Sequence, residues 1–194
     1  MPKADYDKFG EEFSKTRQTP WKEVSEFLEK LPKGAKILDI GCGNGRHLIE
    51  AEKRGLNAFG LDISKNMLKI AKRKTKAPLI LGNALALPFK DRAFGNSICI
   101  AVVHHFKDEK HRIQALKETG RVSKSSILVS VWAFEQEKFK TRKSQDIQLG
   151  WNKKFPRFYH LFKEGEFKSL AKKAGFKLNK EWRSGNNYWA HISD

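Results

Sequence analysis

The sequence predicts a doubly wound α/β domain, a mostly parallel sheet with helices on both faces. Three observations predict it. Short apolar runs alternate with stretches of helical periodicity, the order that builds parallel strands joined by crossovers. The runs are nearly continuous in apolar residues, as strands buried on both faces require. A cluster of glycines also falls where the first run passes into a helix, at the edge where open α/β sheets bind ligands. The chain has 194 residues, 39% of them hydrophobic, which suits one domain, residues 1–194, around a substantial core.

Residues 1–33 read as an N-terminal helical cap. Phe9 and Phe13 stand one turn apart, and Trp21, Val24, Phe27 and Leu28 share a face. Pro20 suits a first helical turn, and Pro32-Lys33-Gly34 breaks the pattern. The first strand is expected over Lys36–Ile40 and a helix over Asn44–Arg54, closed by Gly55. Asn57–Asp62 forms the second strand, and Ser64 caps a helix running to Lys74. Pro78–Leu81, ended by Gly82, is the third strand and Ser97–Val103 the fourth. Glu109–Val122 is helical and Ser126–Trp132 is the fifth strand. Residues 134–163 then turn polar, basic and aromatic with little periodicity, and are expected to be an irregular substrate-side segment. Gly165–Ala174 reads as a helix, and Phe176–Trp182 and Tyr188–Ile192 as a closing hairpin around Ser184-Gly185-Asn186-Asn187.

Thirty-nine Lys and Arg against 22 Asp and Glu give a net charge of +17. Such a field attracts polyanions, nucleic acid above all, unless it is simply a solvated lysine surface. No apolar run approaches the ~18 residues of a membrane span, so no membrane association is expected. The first ten residues carry Asp5 and Asp7 and have no apolar signal-peptide core. Cys42 and Cys99 are the only cysteines, too few for a disulfide framework or a zinc site. No metal is expected, and a reducing cytoplasm is the natural setting.

The strongest local signal is Leu38-Asp39-Ile40-Gly41-Cys42-Gly43-Asn44-Gly45-Arg46, where strand one turns into helix. Alternate glycines let the backbone bend sharply and approach a ligand closely. The G-x-G-x-x-G dinucleotide fingerprint is not met, since Arg46 fills the slot of its third glycine. Asp62 ends strand two, where a carboxylate can accept both ribose hydroxyls of an adenosine, or merely cap the helix at Ser64. Asn83, after strand three, either serves the adenine edge or makes a plain turn.

Three segments, Asp39–Gly45, Leu61–Ser64 and Gly82–Phe89, resemble the successive motifs of class I S-adenosylmethionine-dependent methyltransferases. The resemblance implies a Rossmann-like, seven-stranded, mostly parallel sheet with an antiparallel last strand, and S-adenosyl-L-methionine as cofactor. It implies Gly41, Gly43 and Gly45 around the methionine part, Asp62 on the ribose and Asn83 with Ala84 at adenine, with Asp39, Ile63 and Ala101 completing the set. Asn83 stands where most members have Asp. A narrower resemblance covers Phe13–Arg17 with Pro20-Trp21, Ile100–Phe106, Val131–Gln136 and Arg157–Glu166. These are similar to the tRNA methyltransferases that esterify 5-carboxymethyluridine at the anticodon wobble position. Ser123-Lys124-Ser125-Ser126 replaces their usual Pro-Gly-Gly turn. That family implies tRNA as partner, together with a small zinc-binding activator protein that covers apolar surface.

The chemistry can be read from the residues. Methyl transfer from a sulfonium is an in-line displacement, and a carboxylate acceptor, with a reference pKa near ~4, needs no general base. The site must orient and steady that anion. Arg17 offers a planar fork for a carboxylate, of substrate or cofactor, although a packing arginine is the plain alternative. His104 and His105 follow strand four; on an extended segment only one enters the site, His104 by preference, unless both are structural. Arg157, Tyr159 and His160 suit stacking on an unstacked anticodon base, or else pin a loop on the core. Trp132 and Glu135 are expected to shape the mouth of the site, with Trp132 otherwise a core residue. Lys138, Lys140, Arg142, Lys143, Lys153 and Lys154 either track tRNA phosphates or form a solvated charge run.

Two other functions keep the same cofactor motifs. One is a small-molecule methyltransferase with no need for polyanion affinity; the other is a tRNA-binding module without transfer. Within RNA enzymes, the D/N-P-P-Y motif of adenine nitrogen methylation is absent from Ile100–Phe106. Cys99 in a strand and Cys42 among the glycines are poorly placed as nucleophiles for pyrimidine carbon methylation.

Overall fold

The computed structural model describes residues 6–151 and 155–193. Seven strands form one sheet in the order β3-β2-β1-β4-β5-β9-β8. They are β1 (Lys36–Ile40), β2 (Asn57–Asp62), β3 (Leu79–Leu81), β4 (Phe94–Ile100), β5 (Ser123–Trp132), β8 (Leu178–Ser184) and β9 (Asn187–Ser193). Strands β1 to β5 pair in parallel. Only β9 runs antiparallel, between β5 and β8. This is the sheet that the motifs implied, with its last strand reversed.

Side-chain alternation along the strands splits the core into two layers. Leu38, Ile40, Val129 and Val131 face α5 (Glu109–Val122) and α6 (Glu166–Lys173), where Leu116, Phe167 and Leu170 cover them. Ile37, Ile98, Leu128 and Trp189 face the opposite layer, with Val24 and Leu28 of α2 (Lys22–Glu29) and Leu48 of α3 (Arg46–Lys53). Of the remaining helices, α1 (Tyr6–Lys15) packs on α4 (Lys65–Lys72). Ser64 caps α4 as expected, its Oγ accepting from the Met67 N–H at 3.2 Å.

Strands four and five start earlier than expected, at Phe94 and Ser123, so Ser123–Ser126 is strand and not turn, and three further expectations change. Strand four stops at Ile100 because Ala101 takes φ +59, which turns the chain into a 3-10 helix over Val103–His105. Strand eight starts at Leu178, because Phe176 still closes α6: its N–H bonds Ala171 O, and its ring lies against Gly120, where a Cβ would meet it at 2.1 Å. The third change is the largest. Residues 134–163 are not irregular but hold a 3-10 turn (Glu137–Phe139) and a separate hairpin of β6 (Asp146–Trp151) and β7 (Phe155–His160). Ile147 pairs with Tyr159, and the two are buried with Phe139 and Leu161 in a small core of their own. Lys153 and Lys154 of the basic run, and Asp5 at the start, lie outside the described residues.

Candidate active site

A cavity of about 800 Å³ opens along the carboxyl edge of the parallel strands, within the range of sites that bury a small molecule. Its first wall is the turn after β1. Gly41, Gly43 and Gly45 all have positive φ, and the Gly41 and Cys42 N–H groups bond Leu61 O at 2.7 and 3.0 Å. A Cβ on Gly41 would sit 2.3 Å from Val102 Cγ2, so only glycine brings the turn this close to β4's exit. Asp62 at the end of β2 ties the turn down: Oδ2 accepts from Gly43 N–H at 2.8 Å and Oδ1 from Ser64 N–H at 2.9 Å. Burial raises its pKa to about 6 against the pull of those N–H groups.

Gly41, Gly43, Asp62, Ile63, Ala84 and Ala101 line the cavity, with Gly82 and Met67 beside them. Three other residues expected here do not. Asp39 is buried beneath the turn, with Oδ2 3.6 Å from His47 Nδ1. Gly45 caps α3 against Ala71 and Thr75. Asn83 spends Oδ1 on the Leu85 N–H at 3.0 Å, so the plain-turn alternative describes it.

The second wall is cationic and aromatic. Arg17 bonds Thr16 O and Oγ1, each at 3.1 Å, and its guanidinium lies over the Phe13 ring. Arg46 donates to Thr19 O and lies over Trp21. Burial, then the Arg17 charge, lowers the Arg46 pKa to about 10; the same two causes lower that of Lys138. Arg157 packs against the Phe9, Phe13 and Tyr159 rings. Among the described lining residues, Arg17, Lys22, Arg46, Lys138 and Arg157 face only Glu23 and Asp62 as acids.

Both histidines line the cavity, which corrects the expectation that one turns away. A 3-10 turn does not alternate side chains as a strand does, and the two rings lie 4.5 Å apart. His104 Nδ1 accepts from Trp132 N–H at 3.1 Å, and His105 Nδ1 lies 2.9 Å from Phe158 O. Neutral His104 therefore keeps its proton on Nε2, and His105, donating from Nδ1, keeps a lone pair on Nε2. Burial pushes the His104 pKa well below its ordinary value and that of His105 to about 4. Both rings pack on Tyr159, which stacks on Trp132 at 4.4 Å.

Glu135 and His160 stand apart from this wall. Glu135 turns outward, accepting from Tyr188 Oη at 2.8 Å and, through its carbonyl, from Arg183; Gln136 takes the inward place. His160 Nδ1 and Nε2 lie 2.6 Å from Asp146 Oδ1 and from Glu166 Oε1, fastening the β6–β7 hairpin to α6. Sequence reasoning also missed contributors. Asn44 donates to Ser14 Oγ at 3.0 Å and Arg17 O at 2.8 Å, clamping the N-terminal cap over the cavity. Arg46 entered the reading only as a misfit to the fingerprint, and Asn186 and Asn187 only as turn residues. The thiols of Cys42 and Cys99 are buried and their pKa values raised, that of Cys99 to about 12, so neither is a nucleophile.

The residues present fit an adenosyl sulfonium. A strand-end carboxylate, glycine backbone with no room for Cβ, and the apolar Met67, Ile63 and Ala84 share one cavity. Among the described residues no group of three His, Cys, Asp or Glu can hold a metal, and no helix is long and apolar enough to cross a membrane.

The methyltransferase domain family matches residues 38–129. The tRNA (carboxymethyluridine(34)-5-O)-methyltransferase of Schizosaccharomyces pombe is 32% identical over 215 residues, covering 95% of this chain and 92% of that protein. The tRNA (carboxymethyluridine(34)-5-O)-methyltransferase of Xenopus tropicalis is 42% identical over 145 residues, 74% of this chain; that match spans 22% of the longer frog protein. A solved S-adenosylmethionine-dependent methyltransferase from Methanosarcina mazei shares the fold at a TM-score of 0.75 and 21% identity, covering 91% of this chain and 98% of that one.

Proposed function

The chain belongs to the tRNA (carboxymethyluridine(34)-5-O)-methyltransferase family, and from that membership we propose that it methylates the carboxylate of 5-carboxymethyluridine at the tRNA wobble position. S-adenosyl-L-methionine, bound at the glycine turn, supplies a methyl group made electrophilic by its sulfonium. Asp62 would accept the ribose hydroxyls and the Gly41–Gly43 backbone would cradle the methionine part. A carboxylate oxygen accepting that methyl would replace the C–S bond by a C–O bond, with no proton to move.

One observation carries the reading: a cavity rich in cations whose two histidines are held neutral. Neutral His104 and His105 shape and dry the transfer point without acting as charged bases. Arg17 and Lys138 both line the cavity, where they can attract and orient an anion, and Lys138 feels the Arg17 charge. A carboxylate is an acceptor that needs this arrangement, because it arrives ionised. The net charge of +17 supports a polyanion as the body that carries it. The proposal includes the small zinc-binding activator subunit and a cytoplasmic setting, on the sequence resemblance and the two reduced cysteines.

The test is nucleoside mass spectrometry of hypomodified tRNA after incubation with the protein, the activator and the cofactor. The expected result is one methyl mass gained on the wobble uridine. Methylation elsewhere in the tRNA, or only of small carboxylates, would replace this reading with one of its alternatives.

A further inference from the structure

Two buried side-chain amides line the cavity with hydrogen-bonding capacity to spare. Asn187 is 1% exposed, and neither its Oδ1 nor its Nδ2 has a hydrogen-bond partner. Gln136 is 2% exposed; its Nε2 donates to Ala133 O at 2.7 Å and Asn186 O at 3.2 Å, and its Oε1 has no partner. Buried polar groups are nearly always paired, because an unpaired one keeps its full desolvation cost. The orientation of an amide is an assignment, but Gln136 is fixed by the two carbonyls it meets, and Asn187 is unpaired either way round.

Their place in the sheet says which ligand they face. Gly41, Asp62 and Ala84 follow β1, β2 and β3 on one side of β4. Asn187 pairs in register with Trp132 at the end of β5, on the other side. Gln136 is fastened beside it through Asn186 O. The two amides therefore belong to the acceptor's end of the cavity, next to the stacked Trp132 and Tyr159 rings.

We propose that Gln136 and Asn187 read the edge of the acceptor's pyrimidine ring: the Gln136 carbonyl accepts the ring imide N–H, and the Asn187 amide donates to a flanking ring carbonyl. This rests on the proposed function and adds how the base is chosen. A uracil edge presents carbonyl, N–H, carbonyl, which complements a fixed acceptor beside a donor. Cytosine puts a lone pair where uracil has its N–H, so Gln136 Oε1 meets another acceptor and repels it.

The test uses the full chain with the activator, saturated with S-adenosylhomocysteine for binding. Three anticodon stem-loops carry 5-carboxymethyluridine, its N3-methyl derivative or 5-carboxymethylcytidine at the wobble position. Binding is read by fluorescence anisotropy, and methylation of each by mass spectrometry with S-adenosylmethionine. The wild type is expected to bind the second and third probes about tenfold or more weakly than the first, the loss that follows an unmade buried hydrogen bond. Asn187→Leu and Gln136→Met are expected to lose most of that discrimination, while S-adenosylhomocysteine affinity by calorimetry stays within about twofold. Equal wild-type binding of the uridine and N3-methyl probes, with the uridine probe still methylated, overturns this inference alone, whatever the variants do. If the wild type leaves the uridine probe unmethylated, the proposed function falls and takes the inference with it.

Discussion

At the adenosine end of the cavity, Gly41, Gly43 and Asp62 come from one contiguous β1–α3–β2 unit, and backbone hydrogen bonds to Leu61 O and the Asp62 carboxylate hold them. At the acceptor end, Arg17, His104, Trp132, Gln136, Tyr159 and Asn187 arrive from the cap, the exit of β4, the end of β5, β7 and β9. The first end is held by hydrogen bonds between neighbouring parts of one unit. The second is assembled by packing, through the Trp132–Tyr159 stack, the His105–Phe158 bond and the His160 bridges. Damage at the first end should remove cofactor binding for every substrate, whereas damage at the second should change which acceptor is used.

The sharpest way to break this contrast is Gly41→Ala. The new Cβ would meet Val102 Cγ2 at 2.3 Å in a backbone at φ +76. Strain of about 1–3 kcal/mol from the φ, with a similar cost for the overlap, should weaken S-adenosylhomocysteine binding about 100-fold or more. Calorimetric titration measures it. An affinity close to wild type would show that the turn does not cradle the cofactor.

Arg17→Ala probes the other end. Removing a charge-assisted contact to a carboxylate should cost about 1.5–3 kcal/mol, a drop of roughly 10- to 100-fold in kcat/KM for tRNA. Cofactor affinity should change little, because Arg17 reaches the cavity from the cap and not from the glycine turn. Steady-state kinetics beside calorimetry decides it. If cofactor affinity fell as far as kcat/KM, Arg17 would belong with the methionine carboxylate, and the division between the two ends would move.

The same contrast explains how much of the molecule its sequence makes legible. The glycine turn, Asp62 and the alternation of parallel strands with helices were legible, because each is written in neighbouring residues; the reversed last strand came only through the family resemblance. The β6–β7 hairpin was not. Its alternation of Ile147 and Leu149 with polar residues, answered by Arg157 and Tyr159, is only two pairs long and is buried by a small local core. The sequence puts His160 with the substrate, but its partners Asp146 and Glu166 lie in other elements that no local pattern joins to it. Asn83 and Glu135 failed in a similar way: one bonds its own turn and the other meets Tyr188, a contact set by the β5–β9 register. Gln136 carried a signal only as the end of the Val131–Gln136 motif and Asn187 only as a turn residue, since what distinguishes them is the hydrogen bonds they leave unmade.

The smallest expected effect, and the most diagnostic of the adenosine end, is the pH dependence of Asp62. Burial lifts its pKa from 3.8 to about 6, so in the folded protein it holds a proton in a range where the unfolded chain has lost it. Its contribution to stability is therefore present below the unfolded value and is lost as pH rises through about 6. Cofactor binding should run the other way. Gly43 and Ser64 N–H groups already donate one bond to each carboxylate oxygen, and ribose hydroxyls would add donors that favour the charged form. S-adenosylhomocysteine should then bind more tightly as pH rises between about 5 and 7, by several-fold, with proton release near the midpoint. Calorimetry in two buffers of different ionisation enthalpy reads both quantities. Asp62→Asn should bind more weakly and lose the slope, while Arg17→Ala should keep it. A wild-type affinity that is flat across this range would mean that Asp62 does not meet the ribose, and that its buried carboxylate serves only to brace the glycine turn.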